Sequence, residues 1–197
     1  MIDHNTFKKT LAQALAVDEV RIDTFYELLE FKELKRKEFL IQQYEFCNFI
    51  GFVIKGTLRT FYINEEGCEI NFLFHFHNRL EDMGFTDFES FLLQEKAKLN
   101  IQALEKSYVA LISRKNCMEL THSDEYWQVF GRRMTEIVYL AAKHRIEELL
   151  YFTPENRYLK LLENYPEIVL KFPQKYIASY LGIQPQSLSR IRRRLMR

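Results

Sequence analysis

Pro173-Gln-Lys-Tyr-Ile-Ala-Ser-Tyr-Leu-Gly-Ile-Gln-Pro-Gln-Ser-Leu-Ser-Arg-Ile-Arg-Arg-Arg-Leu195 reads as helix, glycine turn, helix. Ile177, Ala178 and Leu181 form the buried side of the first helix, with Ala178 small where two helices must cross closely. Gly182 stands where a chain needs positive φ to leave one helix and enter another. Gln184 lies near the cap of the second helix, and Pro185 at its first position has the preset φ that favours helix entry. At about 100° per residue, Leu188, Ile191 and Leu195 share one face of that helix. Gln186, Ser189, Arg190, Arg193 and Arg197 lie opposite, flanked by Ser187 and Arg194.

An apolar inner stripe behind a Gln/Ser/Arg outer stripe suits the major groove of double-stranded DNA. Arg pairs bidentately with guanine and Gln with adenine. Gln186 and Arg190, near the helix start, are the candidate base readers. Ser187, Ser189, Arg193, Arg194 and Arg197 are further candidate contacts, the arginines toward phosphates, with Gln174 and Lys175 at the start of the first helix.

Charge supports a local polyanion partner. The whole chain of 197 residues has a net charge of +1. From Ile168 onward there is no acid, and seven positive residues follow: Lys171, Lys175, Arg190, Arg192, Arg193, Arg194 and Arg197. The first 167 residues must then carry −6, so an acidic body bears a basic end. With only 6 Gly and 4 Pro, a linker-rich or disordered protein is excluded. Apolar runs are far too short to span a bilayer, and the first residues lack a basic start and an apolar core, so a cytoplasmic location without membrane contact is expected. Cys47, Cys68 and Cys117 are odd in number and lack CxxC spacing, so neither a disulfide framework nor a metal cluster is expected of them.

Upstream, the period of the apolar residues changes twice. Residues 1–30 are helical. From Phe31 to Ser113, short segments rich in Phe, Ile, Val and Tyr alternate with turns, which predicts a jelly roll. Hairpins are expected around Lys55-Gly56, around Asn64-Glu65-Glu66-Gly67, and around Glu105-Lys106-Ser107. Trp127, Phe130, Met134, Ile137, Val138, Ala141, Ala142, Ile146 and Leu149 then mark one amphipathic helix over 123–152, about 28 residues or roughly 42 Å long. Such a length suits dimerisation or a domain-spanning role. Thr153-Pro154-Glu155 starts a new helix, with a hydroxyl cap, Pro and an acid in the first turn. The fold class is α+β: an N-terminal jelly-roll domain (1–122), a long dimerisation helix (123–152) and a C-terminal, winged helix-turn-helix domain (153–197).

Two segments are the most specific: Arg145-Ile-Glu-Glu-Leu-Leu-Tyr-Phe-Thr-Pro-Glu-Asn-Arg-Tyr-Leu-Lys-Leu-Leu162, and Phe172-Pro-Gln-Lys-Tyr-Ile-Ala-Ser-Tyr-Leu-Gly-Ile-Gln-Pro-Gln-Ser-Leu-Ser-Arg-Ile-Arg. With the order of elements, they make the chain resemble the Crp/Fnr family of bacterial transcription regulators, in the branch common in Bacteroidetes. The resemblance implies a cyclic-nucleotide-binding-like β-roll and a homodimer through residues 123–152. It implies two-fold symmetric promoter DNA as ligand and RNA polymerase as a further partner. Arg190 falls at the family's base-reading arginine. Gln186 falls where cyclic-AMP-responsive members carry Glu, so the preferred site should differ. Any wing must precede the recognition helix, around Ile168 to Phe172.

The resemblance also locates an effector pocket, and there this chain departs from it. Cyclic-nucleotide binders use a Glu for the ribose and an Arg-Ser pair for the phosphate. The matching positions here are Asp87 and Ala97-Lys98. Lys96 and Lys98 bring charge without the bidentate fork of arginine. An effector other than cyclic AMP, or none, is expected, with Asp87, Lys96 and Lys98 as candidates and no cofactor. A rival reading starts from His75, His77 and Glu81, which resemble part of the first metal motif of cupin enzymes, themselves jelly rolls. The glycine spacing is off and no second motif follows. No nucleophile motif or phosphate loop is present, so an enzyme is not expected.

Overall fold

A computed structural model describes residues 4–77 and 80–195. The chain divides into two compact units, Met1–Thr60 with Phe74–Thr135, and Phe61–Leu73 with Glu136–Arg197.

The first unit opens with α1 (His4–Leu15) and α2 (Glu19–Glu27). Asp18 caps α2 by accepting from the Arg21 amide at 2.8 Å, which satisfies one of the free N–H groups of the first turn. Leu11, Leu15, Ile22 and Phe25 are buried, and the Phe25 ring stacks on Trp127 with centroids 6.2 Å apart.

The strands are β1 (Leu29–Leu34), β2 (Phe39–Ile41), β3 (Phe49–Lys55), β4 (Leu58–Ile63), β5 (Glu69–His75), β6 (Gly84–Phe85), β7 (Leu99–Ala103) and β8 (Ser107–Ser113). They form two four-stranded sheets in the orders β1-β8-β3-β6 and β2-β7-β4-β5. Val53, Leu58, Ile101 and Val109 are fully buried in the core that these strands share. The jelly-roll expectation therefore holds, with α3 (Leu80–Met83) and α4 (Phe88–Leu93) inserted before β7.

Two of the three expected hairpins are instead crossings between sheets. β3 and β4 flank Gly56 but belong to different sheets, and so do β7 and β8 around Glu105. The two crossings meet. A Cβ on Gly56, which sits at φ +93°, would lie 2.8 Å from the Ser107 Cα, and the Leu104 amide donates to the Thr57 carbonyl at 2.9 Å. A tight turn between alternating segments looks the same in sequence whether the chain returns beside itself or crosses to the facing sheet. The Asn64 turn is a true hairpin: its side-chain oxygen accepts from the Glu66 and Cys68 amides, and β4 and β5 are neighbours.

After β8, Ser113 caps α5 (Arg114–Ser123). Asp124 is extended and caps α6 (Glu125–Tyr151) through the Trp127 amide at 3.0 Å. The long helix thus exists as expected, at 27 residues. Among the described residues, no helix is long and apolar enough to cross a membrane.

The second unit carries α7 (Pro154–Asn164), α8 (Pro166–Lys171), α9 (Gln174–Tyr180) and α10 (Pro185–Leu195). Thr153 caps α7 by accepting from the Asn156 amide, as its Thr-Pro-Glu start predicts. The expected wing is corrected: Ile168–Lys171 lies inside α8, and among the described residues of this unit no strand precedes α10 except those of the β4–β5 hairpin. Pro166 at the first turn and Glu167 beside it are helix-start signals, and Ile168 and Val169 are buried in the unit's core.

Candidate nucleic-acid interface

α9 and α10 are held by a small apolar core. Ile177, Ala178, Leu181 and Leu188 have no exposed surface, and Ile191 is also buried. The turn between them is made by Gly182 at φ +67°, and the Ile183 amide closes it on the Ala178 carbonyl at 3.0 Å. Gln184 caps α10 with its carbonyl, which accepts from Ser187 and Leu188. Leu195 departs from the inner stripe assigned to it: it is exposed, because the core ends one turn earlier at Ile191.

The outer face is open. Gln174, Lys175, Gln186, Arg190 and Arg193 are all exposed. Arg190 leans on the Ser187 hydroxyl, its Nη2 donating at 3.2 Å, which places the two side chains together. Ser189 is half-buried; its hydroxyl donates to the Pro185 carbonyl at 3.1 Å and lies 3.3 Å from Gln174 Oε1, linking α10 to the start of α9. Arg194 is ion-paired with Glu155 of α7. Arg192, on the side of the helix, donates to the Val169 carbonyl at 3.0 Å. Arg197 lies outside the described residues. α10 carries four arginines and no acid, so the face is cationic throughout.

Two arginines that the sequence reading did not single out brace this assembly. Arg157 of α7 donates to the Leu181 carbonyl from Nε at 3.1 Å and from Nη2 at 2.8 Å. Its Nη1 reaches the Leu149 and Phe152 carbonyls, at 3.1 and 2.6 Å, at the end of α6. Burial, and then the nearby Arg145 charge, lower its pKa, yet guanidinium stays charged at neutral pH. Arg145 is buried, bonds the Tyr180 carbonyl, and lies 3.8 Å from the Tyr180 ring centroid. Both act on carbonyls that a helix end leaves without intrahelical partners. The only sequence signal was a basic residue within otherwise apolar helical spacing, which reads as surface charge.

The candidate effector residues are engaged in local structure. Asp87 is buried; one carboxylate oxygen caps α4 by accepting from the Ser90 amide, and the other accepts from the Lys98 amide, both at 3.1 Å. Lys98 pairs with Glu89 at 2.5 Å, and exposed Lys96 bridges by its backbone to Phe46. Asp87 and Lys98 thus meet across α4, but the Asp87 carboxylate is engaged by backbone amides.

The two histidine candidates differ in environment. His75 is buried with Nε2 2.6 Å from the Thr60 hydroxyl, whereas His77 is exposed beyond the end of β5. Burial lowers the His75 pKa to about 4, a shift that backbone hydrogen bonds at Gly84 and Asp82 offset only in part. The Glu81 side chain lies outside the described residues, and among the described residues no cluster of three metal-ligating side chains exists.

No protein-family model and no curated protein sequence matches the chain. Solved structures do match. A regulator of Eubacterium rectale assigned to the Crp/Fnr family aligns over 92% of this chain and 84% of its own, at 16% identity and TM-score 0.70. A protein of Ruegeria pomeroyi assigned as cyclic-nucleotide-binding aligns over 98% and 88%, at 20% identity and TM-score 0.68. FixK2 of Bradyrhizobium japonicum aligns over 85% and 84%, at 17% identity and TM-score 0.68. The chain has the fold of Crp/Fnr transcription regulators, with a cyclic-nucleotide-binding-like β-roll and a long helix.

Proposed function

We propose that this protein is a cytoplasmic, sequence-specific DNA-binding transcription regulator of Crp/Fnr type, of the Bacteroidetes-type branch, and not an enzyme. It binds two-fold symmetric promoter DNA as a homodimer and works with RNA polymerase. The observation that carries the reading is the outer face of α10: Gln186, Arg190 and Arg193 stand exposed on a helix whose other side is locked by Leu188 and Ile191. Gln186 and Arg190, in the first two turns, read base edges. Gln174, Lys175 and Arg193 meet phosphates, which fixes register without reading sequence.

Dimerisation rests on the second half of α6. Tyr139, Ile146 and Leu150 lie on one stripe of the helix and are 66%, 56% and 77% exposed in the single chain. Spacing of the two recognition helices by about 34 Å matches one turn of DNA. Cyclic AMP does not gate this regulator, because Asp87 is spent on backbone amides and the phosphate-binding fork is replaced by Ala97-Lys98. The effector is a different small molecule, or the protein acts without one.

The test is selection of random duplexes by the purified protein, without added ligand, at two salt concentrations. Enrichment of a two-fold symmetric site supports the reading. Sequence-blind binding that salt abolishes leaves only a basic surface, and no binding at low salt overturns the reading.

A further inference from the structure

Among the described residues β5 is the last strand of its sheet, and the sheet order gives it one neighbour, β4. Its other edge receives a helix. The Ser179 hydroxyl of α9 accepts from the Asn71 amide at 2.8 Å and donates to the Glu69 carbonyl at 3.0 Å. Amide and carbonyl two residues apart face the same edge, so one hydroxyl takes the place of a strand rung. Asn71, itself buried, adds its side-chain amide to the Tyr176 carbonyl at 2.8 Å. These contacts lie inside the second compact unit, which groups Phe61–Leu73 with the helices from Glu136 onward.

The hairpin so attached is acidic. Between Phe61 and Leu73 it holds Glu65, Glu66 and Glu69, all exposed, and no Lys or Arg. Its anchor, Ser179, lies four residues from Lys175, hence on the same face of α9. In a helix-turn-helix the first helix crosses the DNA backbone. Phosphates approaching that face of α9 would therefore meet fixed carboxylates, whose field reaches about 10 Å at 0.1 M salt.

We propose that the β4–β5 hairpin is an autoinhibitory latch, held on α9 by Ser179 and Asn71, that lowers DNA affinity until it is released. The proposal rests on the reading of α9 and α10 as the DNA-binding element. Release removes the acidic strand from the Lys175 face and leaves the base-reading face of α10 unchanged. The latch thus sets how tightly DNA is held, and not which sequence is chosen.

The experiment compares the full-length protein with Ser179→Ala, Asn71→Ala and the triple variant Glu65→Gln/Glu66→Gln/Glu69→Gln. Binding to one random-sequence duplex is measured at low and moderate salt, and hydrogen exchange at the hairpin amides is followed in parallel. Loss of one anchoring hydrogen bond shifts the docked–released balance about fivefold. We expect about fivefold tighter duplex binding in Asn71→Ala and at least as large a gain in Ser179→Ala, whose hydroxyl makes two of the bonds, with faster exchange in the hairpin. The triple variant should also bind tighter, with a gain that shrinks as salt rises. Duplex binding by both docking variants that is no tighter than that of wild type overturns the latch. If no protein, wild type included, binds duplex, the DNA reading itself fails, and the inhibitory role falls with it.

Discussion

Arg157 grips the Leu181 carbonyl with two nitrogens, at 3.1 and 2.8 Å, and the same guanidinium holds the Phe152 carbonyl at 2.6 Å. One side chain therefore ties the end of the long helix to the turn that precedes α10. A planar fork with five donors can satisfy carbonyls in two directions, and an ammonium cannot. Arg157→Ala should cost about 1–3 kcal/mol, because buried carbonyls lose their donors. Arg157→Lys should recover less than half of that. Urea unfolding of the three proteins measures it, and equal midpoints would remove the bracing role.

Gly182 tests the turn from the other side. A Cβ there would meet the Leu149 Cδ2 at 3.5 Å, an ordinary contact, so the cost of a side chain is conformational and not steric. With φ at +67°, Gly182→Ala should lose about 1–2 kcal/mol and keep its fold, and Gly182→Asn should lose less. Thermal unfolding decides this. A collapse of the helical signal in the Ala variant would mean that the turn tolerates no side chain at all.

The helix-turn-helix was legible because each of its requirements is local. A glycine for positive φ, a proline at a helix start and apolar spacing along two short helices all occur within 23 consecutive residues. The same holds for the Thr153-Pro154 start of α7. The crossings at Gly56 and Glu105 were not legible, since a turn signal says that the chain reverses and not which sheet receives it. The wing was expected from the resemblance, while Pro166 and Glu167 already carried the opposite, helical signal. Arg145, Arg157, Asn71 and Ser179 were invisible for a different reason. Their partners are backbone groups between 5 and 110 residues away, and no side-chain pattern marks a backbone acceptor.

Arg190 separates base reading from phosphate contact. If it pairs with guanine, Arg190→Ala should cost about 1–3 kcal/mol at the preferred site and flatten the preference at one base pair per half-site. Arg193→Ala should instead weaken binding to all sequences alike and reduce the slope of log affinity against log salt by about one per chain. Titrations of specific and random duplexes at several salt concentrations read both quantities. Equal losses on the two duplexes for Arg190→Ala would make it a phosphate contact.

His75 gives the β-roll a pH dependence. Its pKa falls from an ordinary 6.5 to about 4 in the folded chain, so it stays neutral there. Between those pH values the unfolded chain binds a proton at this residue and the folded chain does not. Stability is thus fully present above about pH 6.5 and is lost as the pH falls toward 4. The loss is bounded at roughly 3 kcal/mol. Urea midpoints at pH 7.5 and 5.0 should differ more in wild type than in His75→Phe. An identical pH dependence in the two would assign the effect to other groups.

The exposed stripe on α6 tests the dimer without reference to DNA sequence. Tyr139, Ile146 and Leu150 present apolar surface at seven- and four-residue steps, the spacing by which two helices pack along a seam. Each also lies away from Arg145, which faces the carbonyl of Tyr180. Ile146→Glu with Leu150→Glu should therefore leave the chain folded while placing four like charges in the seam of a dimer. Sedimentation should then show a monomer where the wild type sediments as a dimer. Binding to a two-fold symmetric duplex should fall steeply, because two half-site contacts no longer act as one, whereas binding to a single half-site should change little. A wild-type protein that sediments as a monomer at micromolar concentration would remove the symmetric mode of binding. Tyr139, Ile146 and Leu150 would then need another partner.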